Sequence, residues 1–149
     1  MNKAIVVDAS VAVKWLLAEE FTDNARALLA HARSARTAVL APTHLPSEVT
    51  NAIYQRCRRK EIDQAEADEA LAAFLGLPLR LLGSADLYRR ALAFAREQRL
   101  GDTYDSLYVV LAQMVGGELW TDDRALLKAV GSLAPWVRWI GDYAASPAD

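Results

Sequence analysis

The chain has 149 residues, 53% of them apolar, which favours one folded domain with a sizeable core over a disordered chain. The formal net charge of −2 argues mildly against a nucleic-acid partner, although clustered basic residues can still hold a polyanion locally. The single cysteine, Cys57, excludes an internal disulfide and a cysteine-based zinc site. The apolar runs are too short for a membrane span, and the first ends at Asp8, too early for a secretory signal, so we expect a soluble, cytoplasmic protein.

Taken in chain order, short apolar runs predict strands, the first of them buried, and capping residues with apolar positions at helical spacing predict helices between them. The predicted strands lie at 3–7, 38–41, 79–82, 118–121 and 137–140. The predicted helices are 10–17 capped by Ser10, one that begins at a Thr22 or Asp23 cap, 46–60 with Pro46 in its first turn, 63–76, one capped by Ser84, 104–114 and 123–130.

Strands that alternate with helices indicate an α/β fold, with a parallel sheet sandwiched by helices. We expect one domain over residues 1–143 and a small, polar C-terminal tail, 144–149, that frays. Within helix 104–114, residues at steps of three and four define one apolar face. They are Tyr104, Leu107, Tyr108, Leu111 and Met114.

Four acids, Asp8, Glu48, Asp105 and Asp123, stand where an apolar or loop segment meets a helix. An acid there can simply cap the helix, and capping accounts for any one of them alone. In a parallel sheet, however, the carboxyl ends of the strands share one edge, so the four are expected to converge. Converged carboxylates repel one another unless a cation lies among them, and hard divalent cations prefer such oxygen ligands. The pattern therefore indicates metal-assisted phosphodiester chemistry.

The segments around these acids resemble the signatures of the PIN domain. They read Val-Asp-Ala-Ser-Val at 7–11, Pro-Ser-Glu-Val-Thr-Asn at 46–51, Tyr-Asp-Ser-Leu-Tyr at 104–108 and Leu-Trp-Thr-Asp-Asp-Arg at 119–124. Their order and the chain length are similar to those of the stand-alone VapC toxins of bacterial toxin–antitoxin pairs. The resemblance implies a ribonuclease that uses Mg²⁺ or Mn²⁺, forms a homodimer and is inhibited by a cognate antitoxin.

By motif position, the family's four acids fall on Asp8, Glu48, Asp105 and Asp123. The hydroxyl residue after the first acid falls on Ser10, and the threonine before the fourth falls on Thr121. These hydroxyls either orient a carboxylate or a metal-bound water, or cap helices. Other polar residues have no position in the motifs. Asp102 is assigned to helix entry, with contact to a metal through water as the alternative, and Asp122 matches no motif acid. His31 and His44 share no motif, and Cys57 is assigned to the core.

The predicted activity is endonucleolytic hydrolysis of RNA. One or two Mg²⁺ or Mn²⁺ ions would be held by Asp8, Asp105 and Asp123, with Glu48 as a direct or water-mediated ligand. Water as the nucleophile predicts products with a 5′-phosphate and a 3′-hydroxyl. Single-stranded or loop RNA is the expected substrate because it can bend into a small acidic cleft.

A non-catalytic interaction or signalling module is the alternative from another functional class. A phospho-receiver needs an acceptor aspartate after its third strand, and here Gly83-Ser84-Ala85 follows that strand. An aspartyl phosphatase needs Asp-x-Asp after the first strand, and the chain has Asp8-Ala9-Ser10 instead. A degenerate PIN domain that only binds a partner is the alternative that the motifs leave open.

Overall fold

The computed structural model describes residues 3–144. Its strands are β1 (Ile5–Val7), β2 (Val39–Pro42), β3 (Arg80–Leu82), β4 (Glu118–Thr121) and β5 (Val137–Trp139). Its α-helices are α1 (Ala9–Leu16), α2 (Thr22–Ser34), α3 (Leu45–Arg58), α4 (Gln64–Leu75), α5 (Ala85–Gln98), α6 (Tyr104–Met114) and α7 (Arg124–Val130). The strands form one parallel sheet in the order β3-β2-β1-β4-β5, which confirms the predicted α/β class.

The centre of the sheet is β1, which pairs with β2 on one side and with β4 on the other. All three residues of β1 are buried, because helices cover both faces of a parallel sheet, and this accounts for its continuous apolar run. Strands β2 and β3 lie on one side of β1, and β4 and β5 lie on the other. The crevice beyond the carboxyl ends of β1 and β4 is where sheets of this kind bind ligands.

Two predicted helix caps are wrong. Asp8, and not Ser10, caps α1, because its carboxylate accepts from the Val11 backbone N–H, which places Ser10 inside the first turn. Neither Thr22 nor Asp23 caps α2, which begins after Phe21 in a left-handed conformation without a side-chain cap. Both corrections come from backbone geometry that the identity of a capping residue does not specify.

The other caps follow the prediction. Ser84 caps α5 by accepting from the Leu87 N–H at 3.1 Å, and Asp63 forms a capping box with Glu66 at the start of α4. The last strand is one residue shorter than predicted, since Ile140 already belongs to a 3-10 helix, Ile140–Asp142.

Helix α6 is buried on more than one side. It packs against β1, β2 and β4 as well as α5, and its residues from Tyr108 to Ala112 are all buried. The predicted apolar face is only partly correct, because Tyr104 at its start is 58% exposed and Met114 at its end is 36% exposed. Cys57 is half-buried rather than in the core.

None of the helices within residues 3–144 is long and apolar enough to cross a bilayer. The predicted fraying of the tail concerns residues that lie, apart from Ala144, outside the described part of the chain.

Candidate active site

Asp8 lies at the end of β1 and is almost fully buried, with 7% of its surface exposed. Its Oδ1 accepts from the Ser10 hydroxyl at 2.5 Å and from the Val11 N–H at 3.3 Å, and the Thr121 hydroxyl donates to Oδ2. Burial nevertheless raises the pKa of Asp8 from 3.8 to about 6, and the hydrogen bonds offset this only in part. Ser10 and Thr121 therefore orient this carboxylate, and neither hydroxyl caps a helix.

Asp123 follows β4 and caps α7, with its Oδ1 accepting from the Leu126 N–H at 3.0 Å. Its own N–H donates to Thr121 Oγ1 at 2.9 Å. Thr121 thus connects the first and the fourth acid through one hydroxyl. Capping is compatible with membership of the acidic cluster, which consists of Asp8, Glu48, Asp105 and Asp123, since the cap uses only one of the two carboxylate oxygens.

Glu48 lies in the first turn of α3 and contacts two side chains that the motif analysis missed. Its Oε1 accepts from the Tyr108 hydroxyl at 2.8 Å and lies 2.8 Å from His44 Nε2. Burial raises the pKa of Glu48, but the contacts with His44 and Tyr108 outweigh it and hold this pKa below its usual range. The spacing of four residues between His44 and Glu48 was an available signal, whereas the sequence places Tyr108 only on an apolar helix face.

Asp105 lies half-buried in the first turn of α6. Burial, together with the charges of Asp123, Asp102, Asp8 and Glu48 in decreasing order, raises its pKa from 3.8 to about 6. The backbone N–H groups at the start of α6 are instead satisfied by Asp102, whose Oδ1 accepts from residues 104 and 105 at 2.9 and 3.3 Å. Asp102 therefore serves helix entry as expected.

The structure brings the four motif acids to one edge of the sheet, close enough for their charges to act on one another. Their donor atoms are all oxygens, which suits a hard cation such as Mg²⁺ or Mn²⁺. As the side chains are placed within residues 3–144, no three His, Cys, Asp or Glu groups are arranged to hold one ion directly. Ligation by three of them therefore requires side-chain rotation or bridging water.

The raised pKa of Asp105 predicts a pH dependence of stability for the metal-free protein. The pKa of Asp105 is about 6 in the folded chain, against an ordinary value of 3.8 that applies to the unfolded chain. The contribution of Asp105 to the free energy of unfolding is therefore fully present below pH 3.8 and is lost as the pH rises through 6. Relative to Asp105→Asn, the wild type should lose about 1–2 kcal/mol of unfolding free energy between pH 4 and 7 in chelator. Urea melts of both proteins at each pH measure this difference, and a constant difference would refute it.

The PIN domain family matches residues 5–132, a span that contains all four acids. The chain belongs to the PIN domain family. This membership sets aside the receiver and phosphatase alternatives. The four acids of this PIN domain lie beyond strand ends or in first helical turns.

Two named relatives match this PIN domain over most of its length. A protein named Ribonuclease VapC3 from Mycobacterium tuberculosis is 38% identical over 125 residues, 84% of this chain and 86% of the relative. Another protein of that name, from Pyrobaculum aerophilum, is 30% identical over 131 residues, 87% of this chain and 96% of the relative. The predicted resemblance to VapC proteins is confirmed.

Two solved structures share the fold of this PIN domain. The crystal structure of PAE2754 from Pyrobaculum aerophilum superposes with a TM-score of 0.68 at 24% identity, over 95% of this chain and 93% of the other. That of VapC20 from Mycobacterium tuberculosis, described as a sarcin-ricin loop cleaving toxin, superposes with a TM-score of 0.61 at 18% identity, over 86% and 95%. At these identities the likeness concerns the fold alone.

Proposed function

We propose that this PIN domain is an endoribonuclease and the toxin of a toxin–antitoxin pair, and that its activity depends on Mg²⁺ or Mn²⁺. The observation that carries the proposal is the meeting of Asp8, Glu48, Asp105 and Asp123 at one sheet edge, where burial, together with repulsion from neighbouring acids, raises the pKa values of Asp8 and Asp105 to about 6. A bound cation removes that repulsion. Relatives of matching length bear the name ribonuclease, which supports RNA as the substrate.

In this proposal Asp8, Asp105 and Asp123 would hold the ion, and Glu48 would bind it directly or through water. The chemistry that a bound divalent ion would supply is neutralisation of charge on the phosphate and a lower pKa of the attacking water. The chain itself supplies orientation, since Ser10 and Thr121 fix the Asp8 carboxylate. Tyr108 keeps its proton, because burial and the Glu48 charge raise the pKa of its hydroxyl well above the usual range.

A cleft of about 380 Å³ beside the acidic cluster offers a path for the RNA strand. Its lining includes Ser10, Lys14 and Asp122 from beside the cluster, Arg56 from α3, and Arg59, which follows α3. Arg56 pairs with Glu19 and Glu61, and Arg59 pairs with Glu61, so in this proposal a phosphate group that flanks the scissile bond would replace these carboxylates as the partner. Tyr104, 58% exposed next to Asp105, offers a ring on which an unpaired base can stack. Single-stranded or loop RNA is accordingly the proposed substrate.

The relation to VapC proteins supports a cognate antitoxin as the partner that masks the acidic cluster. It also supports a cytoplasmic site of action and a homodimer. Each remains part of the proposal.

The direct test is cleavage of total bacterial RNA by the purified protein with Mg²⁺, with Mn²⁺ and with chelator. We expect defined fragments only with a divalent ion, and 5′-phosphate ends that permit ligation of an adaptor without prior phosphorylation. Fragments with 5′-hydroxyl ends would show the RNA 2′-hydroxyl to be the nucleophile. Intact RNA under all conditions, from protein that is folded by circular dichroism, would favour a degenerate PIN domain.

A further inference from the structure

Asp122 lies between Thr121 and Asp123 but makes a different set of contacts. Its Oδ2 lies 2.9 Å from Lys14 Nζ on α1, and its Oδ1 accepts from Trp139 Nε1 on β5 at 2.9 Å. Its backbone N–H donates to Ser10 Oγ at 2.8 Å. Both carboxylate oxygens and the amide are thus held by α1 and β5, so Asp122 joins these two elements at the edge where the acids meet.

Lys14 is the cation in this arrangement, and it is 3% exposed. A buried ammonium group is costly unless it is paired, and Lys14 has two carboxylate partners, Asp122 and Glu19 at 3.0 Å. Burial lowers the pKa of Lys14, but these partners outweigh it and hold this pKa above its usual range. Lys14 is therefore charged, and its removal leaves Asp122 beside the acidic cluster without its cation.

The ion pair spans the two segments that carry the first and fourth acids. Helix α1 is capped by Asp8, and six residues later it presents Lys14. Strand β4 ends at Thr121, and the loop after it carries Asp122 and Asp123. A contact between Lys14 and Asp122 consequently constrains the distance from Asp8 to Asp123.

We propose that Lys14 and Asp122 are positioning residues that hold the loop after β4 against α1, so that Asp8, Thr121 and Asp123 stand in the arrangement that binds the metal ion. The inference rests on the proposed function. Both residues lie in the wall of the cleft proposed for the RNA strand, but Lys14 is 3% exposed and is paired with two carboxylates of the chain. Each residue therefore acts through the carboxylates that it places. Loss of outer partners of this kind lowers metal affinity by about 10- to 100-fold.

The test uses Lys14→Met and Asp122→Asn, two changes that keep side-chain volume. Asp122→Asn is the milder, because its amide oxygen can still accept from Trp139. For each variant we measure Mn²⁺ affinity by electron paramagnetic resonance, and kcat and KM on an RNA oligonucleotide. We expect Mn²⁺ affinity and kcat to fall about 10- to 100-fold, with the KM for RNA nearly unchanged. The double variant should lose little more than Lys14→Met alone, because one shared interaction is removed.

Matched controls are available at exposed ion pairs. Lys3→Met removes a cation that pairs with Glu118 at 3.8 Å at the opposite edge of the sheet, and Asp86→Asn breaks an exposed pair with Arg90 on α5. Both should match the wild type in Mn²⁺ affinity and in kcat.

The outcomes separate this inference from the function on which it rests. A wild type that neither binds Mn²⁺ nor cleaves RNA overturns the proposed function and this inference with it. A wild type that does both, beside Lys14→Met and Asp122→Asn variants with unaltered Mn²⁺ affinity, overturns the positioning roles alone. A fall in thermal stability without a fall in Mn²⁺ affinity has the same meaning, because it shows a purely structural ion pair.

Discussion

Asp8→Asn is expected to abolish the growth arrest that the wild-type chain should cause when it is expressed alone in bacteria. The change removes one charge from a carboxylate that is buried and held by Ser10, Thr121 and the Val11 N–H. An amide in that position ligates a divalent ion far less well than a carboxylate. Colony counts after induction should rise by orders of magnitude, to the level of an empty vector.

A matched control separates loss of the site from loss of a helix cap. Asp63 caps α4 as Asp8 caps α1, and asparagine caps a helix about as well as aspartate. Asp63→Asn should therefore stay as toxic as the wild type, with equal amounts of soluble protein by immunoblot. Unimpaired growth with abundant soluble wild type would contradict the toxin proposal. Arrest by the Asp8→Asn variant would contradict the role of Asp8.

Asp105→Asn should separate metal binding from folding. Without divalent ions the variant should be at least as stable as the wild type near pH 7, because one of several mutually repelling charges is gone. With Mn²⁺ at about 100 times its Kd, the wild type should gain about 2.7 kcal/mol, or roughly 5–10 °C in Tm. The variant should gain much less, and its RNA cleavage should fall by orders of magnitude.

Thermal melts with chelator and with Mn²⁺, beside a cleavage assay on total RNA, measure both effects. Asp86→Asn is the control, since Asp86 occupies the first turn of α5 as Asp105 occupies the first turn of α6. The first N–H groups of α6 donate to Asp102 and not to Asp105. A lower activity of the Asp105→Asn variant would therefore not be explained by loss of a helix cap. Equal responses to Mn²⁺ and continued cleavage by the variant would show that Asp105 is not a ligand.

Predictions from the sequence succeeded where the signal is local. The apolar run 5–7 marks a strand that is buried on both faces, and this burial determines its composition. The acids could be placed because each follows a strand or opens a helix, and the motif around each identifies the family. The backbone conformation at helix starts was harder to predict from the sequence. Phe21 precedes α2 with a φ of 64°, which no capping pattern indicates.

Contacts between distant residues were decided by the tertiary structure alone. Periodicity reports which face of a segment is buried, but not which segment lies against it, so the placement of β1 beside β4 could not be derived. That adjacency brings Thr121 to Asp8. In the same way, the packing of α6 brings Tyr108 to Glu48, although the sequence indicates only an apolar ring at this position.

The contrast is clearest for Lys14 and Asp122. In the sequence, Lys14 is one polar residue on a short helix, and Asp122 is the acid in its motif that matches no ligand position. Their 2.9 Å contact exists because α1 and the loop after β4 meet at the edge of the sheet. The sequence by itself determined which residues carry the chemistry, since composition and motif are local properties. The motif also offered Ser10 and Thr121 as groups that orient a carboxylate. Only the folded chain showed the contacts of Tyr108 with Glu48 and of Lys14 with Asp122, because these depend on packing between segments that are distant in the sequence.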